Sequence, residues 1–288
     1  MKINRYLKKI FIFFKNEVLY GGHLQCLSLV SAAWIASFLM MIPTEWSMYV
    51  IIYLSTYIAY AYNRYQEIEK DSLDNIERTR HLKIYRKKIP LLAMGAFVLM
   101  LFILLPRGGV IASTYIFFIL IFGFAYTQWL KPATKKIPLL KNISVAVAFA
   151  LGAGFIFPYN LMNPIYFIKE ISCIGSFIFL RVLFMQIFLD LKDCRSDSAR
   201  GLKTMAVLVG KRFTLNFLKW AFWGSSLPLI IGVACGFLPI ITLVLLLTLF
   251  LDHWAINLVK KDNRLGYLIQ GAHAISWSVI LMLGNFIF

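Results

Sequence analysis

The sequence is poor in the residues from which most metal, redox and disulfide sites are built. Its four cysteines are scattered singly, with no Cys-x-x-Cys pair, and its four histidines form no His-Glu-x-x-His pattern. These absences argue against a disulfide framework and against a zinc site. Residues 1–20 have neither a clean apolar core nor a small-residue cleavage site, so a secretory signal peptide is not indicated.

Charge is scarce as well, and most of it is positive. Charged residues make up 15% of the chain against 60% hydrophobic residues, and the mean hydropathy is +0.74. This apolar share is far above that of a soluble domain and predicts an all-α integral membrane protein. The formal net charge of +17 would suggest nucleic acid in a soluble protein. Here we expect no such partner, because no basic face with interleaved aromatics lies outside the loops.

The apolar runs predict nine transmembrane helices, because most approach the roughly 20 residues that span a bilayer. They cover residues 24–42, 46–62, 89–106, 110–127, 142–158, 165–189, 214–235, 237–259 and 266–287. With the N-terminus inside, the inner segments are 1–23, 63–88, 128–141, 190–213 and 260–265. Counting Arg181 and Lys219 on adjoining helical turns, these segments hold 28 of the 30 Lys and Arg residues. The positive-inside rule therefore predicts a multi-pass protein of the cell membrane with a cytoplasmic N-terminus.

Residues 1–23 are predicted to lie outside the bundle. Residues 1–20 mix five basic residues with a Leu/Ile/Phe stripe, which is typical of an amphipathic helix on the cytoplasmic leaflet. We therefore expect two parts: a basic interfacial segment at 1–23 and a transmembrane domain at 24–288.

Acidic residues are few, and eight of the 13 are concentrated in or just beyond two stretches that follow apolar runs. In a helix, the first stretch places oxygen ligands at i, i+4 and i+8, and the second at i, i+3 and i+7, so each set shares one face. The six potential ligands are Asn63, Glu67, Asp71, Asp190, Asp193 and Asp197. Crowded carboxylates repel each other unless a cation lies among them, and the pattern predicts hard divalent cations, above all Mg²⁺.

Both stretches end even-numbered helices and should open on the same cytoplasmic face. They begin 127 residues apart with four predicted crossings from one to the next, which is compatible with two four-helix halves plus a ninth helix. An alternative for the first stretch is a solvated loop in which the acids pair with Arg64, Lys70 and Arg78. The second stretch on the same side favours a functional site, because carboxylates at the membrane edge are costly.

An isoprenyl diphosphate fits a site that combines Mg²⁺, basic loops and an aromatic-rich membrane interior. The diphosphate would bridge the metal ions, which would act as Lewis acids on the leaving group. Aromatic faces stabilise an allylic cation by about 0.5–2 kcal/mol each. The chain has 25 Phe, 14 Tyr and 7 Trp residues, most of which must face lipid or pack in the core.

These motifs resemble those of the UbiA superfamily of intramembrane prenyltransferases over residues 24–288. The family's Asn-x-x-x-Asp-x-x-x-Asp element appears as Asn63-x3-Glu67-x3-Asp71, with Asn75 and Arg78 in register. Its second, Asp-rich element appears as Asp190-x2-Asp193-x3-Asp197, followed by Gly201-x-Lys203-Thr204 and Gly210. A third similar stretch runs from Tyr126 through Leu130-Lys131 and Ile137-Pro138 to Lys141-Asn142.

The resemblance implies a nine-helix UbiA-type bundle with a cytoplasmic-facing active site and two Mg²⁺ ions bridged by the substrate diphosphate. It implies that Arg78, Lys131 and Lys203 bind the diphosphate oxygens and that Tyr126 lies near the ionising carbon, so Tyr126 and Lys131 are the catalytic candidates. Alternatively, Tyr126 is an anchor of the interfacial aromatic belt, and Lys131 and Lys203 are topology charges.

Two features depart from the family's pattern. Glu67 stands where Asp is usual, which keeps the carboxylate but lengthens its reach. The segment after Arg78 reads Thr79-Arg80-His81 and lacks the Arg-Pro-x-x-x-Gly run of the quinone and chlorophyll branches. The resemblance therefore assigns no branch and no acceptor.

The sequence thus predicts a Mg²⁺-dependent enzyme that transfers an isoprenyl group from its diphosphate to a hydrophobic or aromatic acceptor among the membrane lipids. A membrane terpene cyclase, which would quench the cation internally or with water, is an alternative use of the same site. A cation-coupled transporter is a non-enzymatic alternative. It would favour discontinuous helices and charges near mid-membrane, whereas the acids of the two motifs are predicted at helix ends.

Overall fold

The computed structural model describes the backbone of residues 2–285 and the side chains of residues 10–69 and 72–285. Every regular element in this part of the chain is helical, as predicted. The first half contains α1 (Lys2–Tyr20), α2 (His23–Leu39), α3 (Trp46–Glu67), α4 (Ile76–Tyr85), α5 (Ile89–Ala125), α6 (Lys131–Ala133), α7 (Leu140–Ala153) and α8 (Ile156–Tyr159). The second contains α9 (Ile168–Asp190), α10 (Cys194–Ala199), α11 (Met205–Gly224), α12 (Leu227–Ala234), α13 (Thr248–Lys260), α14 (Leu265–Gly271) and α15 (His273–Asn285). The remaining elements are 3₁₀ segments at Lys70–Leu73, Arg86–Lys88, Pro164–Phe167 and Ile240–Leu247, and a π-helical segment at Tyr126–Leu130.

Within residues 2–285, five helical stretches are long and apolar enough to cross a membrane, or seven if each of two bent pairs is one span. The five are Ile76–Ala133, Leu140–Tyr159, Pro164–Asp190, Met205–Ala234 and Ile240–Lys260. The bent pairs are Ile10–Tyr20 with His23–Leu39 and Leu265–Gly271 with His273–Asn285. These stretches support a multi-pass membrane protein, while the count of nine crossings and the orientation stay predictions.

The long helix α5 is broken between the two spans that the sequence predicts at 89–106 and 110–127. Gly109 has φ 60° and ψ −167°, a conformation that only glycine adopts readily. Pro106 precedes it and removes a backbone donor from the helix. α5 therefore consists of two helices joined at a kink, and it packs along α3.

The main core lies between α2, α3, α5, α7, α9 and α15, with Phe149 and Trp277 among its buried aromatics. A second apolar cluster joins α9, α11 and α13 around Phe222. On the outer surface, large apolar side chains such as Phe102 and Phe250 are 77% and 74% exposed. Such exposure would favour aggregation in water but suits contact with lipid, where packing rather than apolar burial drives helix association.

A buried ion network joins α9 to α13 and α15. Arg181 Nη1 lies 2.7 Å from Asp252 Oδ2, and Arg181 Nη2 lies 2.7 Å from Thr248 Oγ1 and 2.6 Å from His273 Nε2. All four residues are at most 2% exposed. Arg181 therefore does not lie on a turn adjoining the inner loops, as its count among the inner charges assumed. It lies well inside α9, and its burial there is possible because another helix, α13, supplies its counter-ion, Asp252.

Candidate active site

A cavity of about 200 Å³ opens where the ends of α3 and α9 meet α4, α6 and α7. Part of its wall is apolar and includes Leu29, Ile119, Phe122, Val145 and Phe149. The polar part consists mainly of Tyr60, Asn63, Arg64, Arg78, Tyr126, Lys131, Lys141, Gln186, Asp190, Lys192 and Asp193. Six of the ten predicted site residues therefore line one cavity, and both acidic motifs contribute to it.

Two residues of the first motif, Asn63 and Glu67, lie in the last turns of α3. Asn63 and Glu67 are buried on one helix face, as their spacing predicts. The Asn63 amide donates to Thr127 Oγ1 at 3.2 Å. The Glu67 carboxylate accepts a hydrogen bond from Lys131 Nζ and lies 3.7 Å from Arg200 Nη1. A buried carboxylate at a helix C-terminus is disfavoured by the helix dipole, and these two cations offset that cost.

α3 ends at Glu67, so the predicted continuous helix through Asp71 is not observed. Asp71 belongs instead to the 3₁₀ segment Lys70–Leu73. The Asp71 side chain lies outside the described residues, and its role as a metal ligand stays a prediction.

The second motif is likewise split between two helices. Asp190 is the last residue of α9, Asp193 precedes the first residue of α10, and Asp197 lies within α10. One continuous helix would have aligned three carboxylates on a single face. The intervening turn instead separates Asp193, which contacts Asn75, from Asp190 and Asp197, which share Lys141.

Lys141 of α7 is the central cation of the second motif. Its Nζ lies 2.9 Å from Asp190 Oδ1 and 2.5 Å from Asp197 Oδ2. Asn142 Nδ2 donates to Asp190 Oδ2 at 2.8 Å, and Arg200 Nη2 lies 3.1 Å from Asp197 Oδ1. The two buried carboxylates are therefore neutralised from within the protein.

Contacts from the α3–α4 connection bring the two motifs together. Asn75 Nδ2 donates to Asp193 Oδ1 at 2.7 Å. Burial raises the pKa of the Asp193 carboxyl, but Lys192, Arg78 and the Asn75 amide outweigh burial and lower that pKa to about 2. Asp193 is therefore ionised at neutral pH. Asp74 Oδ2 adds a second link by accepting a hydrogen bond of 2.6 Å from the backbone N–H of Ser196.

The predicted diphosphate ligands differ in their placement. Arg78 is buried on α4, Lys131 begins α6, and both line the cavity. The Lys203 side chain is exposed and is not among the residues that line the cavity. Its backbone N–H donates to the Thr134 carbonyl at 3.1 Å, and its carbonyl accepts from the Leu139 N–H at 3.2 Å. The Lys203 backbone thus holds the α6–α7 connection.

The donor set of the two motifs fits Mg²⁺, although the carboxylates are engaged by cations in this arrangement. Among the described side chains, no group of three or more His, Cys, Asp or Glu residues could hold a metal ion. Glu67, Asp190 and Asp197 contact Lys131, Lys141 and Arg200 instead. Carboxylate and amide oxygens are the donors that Mg²⁺ prefers, and two helix C-termini add negative potential.

Comparisons with known proteins agree with the motifs. The sequence profile of the UbiA prenyltransferase family matches residues 21–267. The chain belongs to the UbiA prenyltransferase family. Among curated proteins, no sequence relative matches it.

Solved structures of UbiA proteins share the fold. The apo structure of a UbiA homologue from Aeropyrum pernix K1 is 15% identical, with a TM-score of 0.69 over 91% of this chain and 97% of that one. A UbiA homologue from Archaeoglobus fulgidus bound to DMAPP and Mg²⁺ is 14% identical, with a TM-score of 0.61 over 95% and 100%. A structure from work on digeranylgeranylglyceryl phosphate synthase in membranes is 14% identical, with a TM-score of 0.57 over 96% and 98%. At these identities the likeness establishes the fold alone.

In this UbiA family member, Tyr126 begins the π-helical segment Tyr126–Leu130 and lines the cavity. π-Helical turns widen a helix locally and are frequent at functional sites. Its role near the ionising carbon stays a prediction. Tyr60, three residues before Asn63, lines the same cavity.

Sequence reasoning gave no role to several residues that the fold brings to the site. Lys141 and Asn142 appear in the third family-like stretch, but the spacing does not show that they reach the second motif. Arg200 follows that motif closely and contacts both Glu67 and Asp197. Gln186, which lines the cavity, precedes Asp190 by four residues, and this helical spacing could have identified it.

Proposed function

We propose that this protein transfers an isoprenyl group from an isoprenyl diphosphate to a hydrophobic or aromatic acceptor in the membrane. The observation that carries the proposal is the cavity, whose polar part, with Arg78, Lys131 and Asp193, adjoins an apolar wall. A molecule with a charged headgroup and a hydrocarbon chain matches that division.

The headgroup would bind among the basic side chains and the acidic motifs. Arg78, Lys131 and Lys141 line the cavity and would contact diphosphate oxygens, with Lys203 as a further predicted ligand. The oxygen ligands predicted for two Mg²⁺ ions are Asn63, Glu67, Asp71, Asp190, Asp193 and Asp197. When bound, Mg²⁺ would neutralise the charge that develops on the departing diphosphate.

Two lysines would change their partners when the substrate binds. Lys131 and Lys141 pair with the carboxylates that we propose as metal ligands. Both lysines would exchange those carboxylates for diphosphate oxygens when the substrate enters with its metal. Charge would then stay balanced throughout, which matters in a site where unpaired buried charges are costly.

The carbon chemistry would take place beside the aromatic wall. The C–O bond of the substrate breaks, diphosphate leaves with the bonding electrons, and the acceptor attacks the allylic carbon and loses a proton. Tyr126, Tyr60 and Phe122 line the cavity, and each aromatic face could stabilise the cation by about 0.5–2 kcal/mol. The apolar wall would limit the access of water, which would otherwise capture the cation.

The comparisons support this reaction type in general. The family is one of prenyltransferases, and the Archaeoglobus fulgidus homologue is bound to DMAPP and Mg²⁺. The orientation with the cavity toward the cytoplasm is part of the proposal and rests on the distribution of Lys and Arg.

The proposal can be tested with purified protein in lipid nanodiscs, Mg²⁺ and a panel of isoprenyl diphosphates with and without aromatic acceptors. We expect diphosphate release and a prenylated product that both require Mg²⁺ and the acceptor. Asp193→Asn should abolish both, whereas the matched Asp262→Asn, at an exposed acid paired with Lys211, should retain them. Release without an acceptor, yielding a cyclic hydrocarbon or alcohol, would assign the chain to terpene cyclases. A folded protein that binds no isoprenyl diphosphate would contradict both functions.

A further inference from the structure

Helix α1 is attached to helix α4 by one face. Tyr85 Oη donates to Glu17 Oε2 at 2.6 Å, and His81 Nε2 lies 2.8 Å from the same oxygen. Tyr20 Oη donates to Glu77 Oε2 at 2.7 Å. Glu77, His81 and Tyr85 all belong to α4. α1 therefore holds α4 through a set of directional polar contacts.

Two glycines fix the angle at which α1 leaves the bundle. Gly22 has a φ of +101°, which L-residues rarely adopt, and a Cβ at Gly21 would lie 2.2 Å from Glu17 Oε1. α1 and α2 consequently meet at 56° instead of forming one straight rod. His23, the first residue of α2, has its Nε2 atom 3.3 Å from Glu17 Oε1. Glu17 therefore contacts both the start of α2 and α4.

An adjoining face of α1 is apolar and uncovered by the described part of the chain. Ile10, Phe11, Phe14 and Val18 are 50%, 70%, 64% and 42% exposed, and their spacing places them on one stripe of the helix. The sequence of α1 also contains five basic residues and a single acid, Glu17. Because Glu17 faces α4, it does not offset the attraction of α1 for an anionic surface.

We propose that α1 is a docking helix for acidic phospholipid headgroups and that Glu17 couples this contact to α4. An apolar stripe accompanied by basic residues is the pattern of helices that lie in the headgroup region. Juxtamembrane basic residues are attracted to anionic lipid, each strengthening the contact about fivefold. The exposed apolar stripe inserts at the boundary between lipid headgroups and acyl chains. The Glu17 face stays hydrogen-bonded to α4.

The coupling would reach the cavity because α4 is held from two sides. On one side is the α1 contact through Glu17. On the other, Asn75, directly before α4, donates to Asp193 at 2.7 Å. Arg78 lies between them on α4, is buried and lines the cavity. Anchoring α1 on the membrane surface should therefore reduce local opening of α4 and keep Arg78 in the cavity wall.

Hydrogen exchange of the whole protein in nanodiscs tests this inference without any substrate. We expect backbone amides of α1 and α4 to exchange about fivefold more slowly with phosphatidylglycerol present than in phosphatidylcholine alone. Lys8→Gln with Lys15→Gln should clearly reduce the difference, because two of the five basic residues of α1 are lost. The matched pair Lys260→Gln with Lys261→Gln, at exposed residues at the end of α13, should retain it.

Glu17→Gln separates docking from coupling. In this variant acidic lipid should still slow exchange in α1 but should no longer slow it in α4. Equal exchange rates of wild-type α1 in both lipids would overturn the docking proposal. Exchange in α1 that slows with protein density and not with lipid charge would also overturn it and would assign the stripe to a second copy of the chain. Lipid-dependent exchange in α4 of Glu17→Gln equal to wild type would overturn the coupling. Because exchange needs no turnover, these outcomes are independent of the proposed prenyl transfer.

Discussion

Replacing Lys141 with Met should destabilise the protein in the absence of Mg²⁺ and increase its response to Mg²⁺. The Lys141 ammonium group bridges Asp190 and Asp197, whose side chains are 7% and 1% exposed. Removing one partner of a buried ion pair costs about 3–5 kcal/mol, because the remaining charge is left without compensation. Here two carboxylates lose their shared cation, so we expect the upper part of that range.

Mg²⁺ should recover much of this loss if the carboxylates are metal ligands. In the wild-type protein Lys141 must first release Asp190 and Asp197, which weakens their affinity for a metal ion. In Lys141→Met this competition is gone. A ligand at 100 times its dissociation constant stabilises the native state by about 2.7 kcal/mol, so millimolar Mg²⁺ should stabilise the variant by more than it stabilises the wild type. Turnover should nevertheless fall, since a diphosphate ligand is lost.

The assay is denaturant unfolding in detergent across a Mg²⁺ titration, with Lys211→Met as the matched control. Lys211 forms an ion pair with Asp262, but both side chains are exposed, at 43% and 87%. Such a surface pair contributes only about 0–1 kcal/mol. Equal destabilisation of the two variants would refute the bridging role of Lys141. A Mg²⁺ response no larger than that of the wild type would refute metal binding at these carboxylates.

Three further outcomes are expected. Glu67→Gln should lose far more activity than Glu67→Asp, and raised Mg²⁺ should partly restore only the Asp variant; equal small effects would remove Glu67 from the metal site. A reporter fused after Phe288 should lie on the face opposite the N-terminus, and the same face would mean an even number of crossings. Arg181→Met alone should cost about 3–5 kcal/mol of unfolding free energy, whereas adding Asp252→Leu should restore most of it. A double variant as unstable as the single one would show that the loss of stability comes from packing and not from an unpaired charge.

The sequence predicts the site best where the signal is local. The scarcity of acids and the helical spacing of Asn63 and Glu67 locate the polar end of the cavity, and the break at Gly109 falls between two apolar runs. The spacing argument was wrong for the helix after Glu67 and for the turn after Asp190. It treats each motif as one helix and ignores the repulsion that a buried row of carboxylates would experience at a helix C-terminus.

Long-range pairing explains what the sequence could not indicate. Lys141 meets Asp190 and Asp197 only because α7 packs on α9, and no residue spacing encodes that contact. Arg181 was counted with the inner loops because cationic side chains usually lie there. Its carboxylate partner, Asp252, belongs to α13, so burial becomes favourable only after distant helices assemble.

The Arg181 network has a consequence for biosynthesis. An arginine or aspartate near the centre of a membrane helix disfavours insertion by about 2.5–3.5 kcal/mol. α9 leaves the ribosome before α13 and α15, and so it enters the bilayer with Arg181 still lacking Asp252 and His273. Arg181 therefore makes α9 less favourable in the bilayer until the later helices supply its partners. In a chain truncated before α13, α9 should be the span whose insertion is weakened most, and Arg181→Leu should remove that weakness.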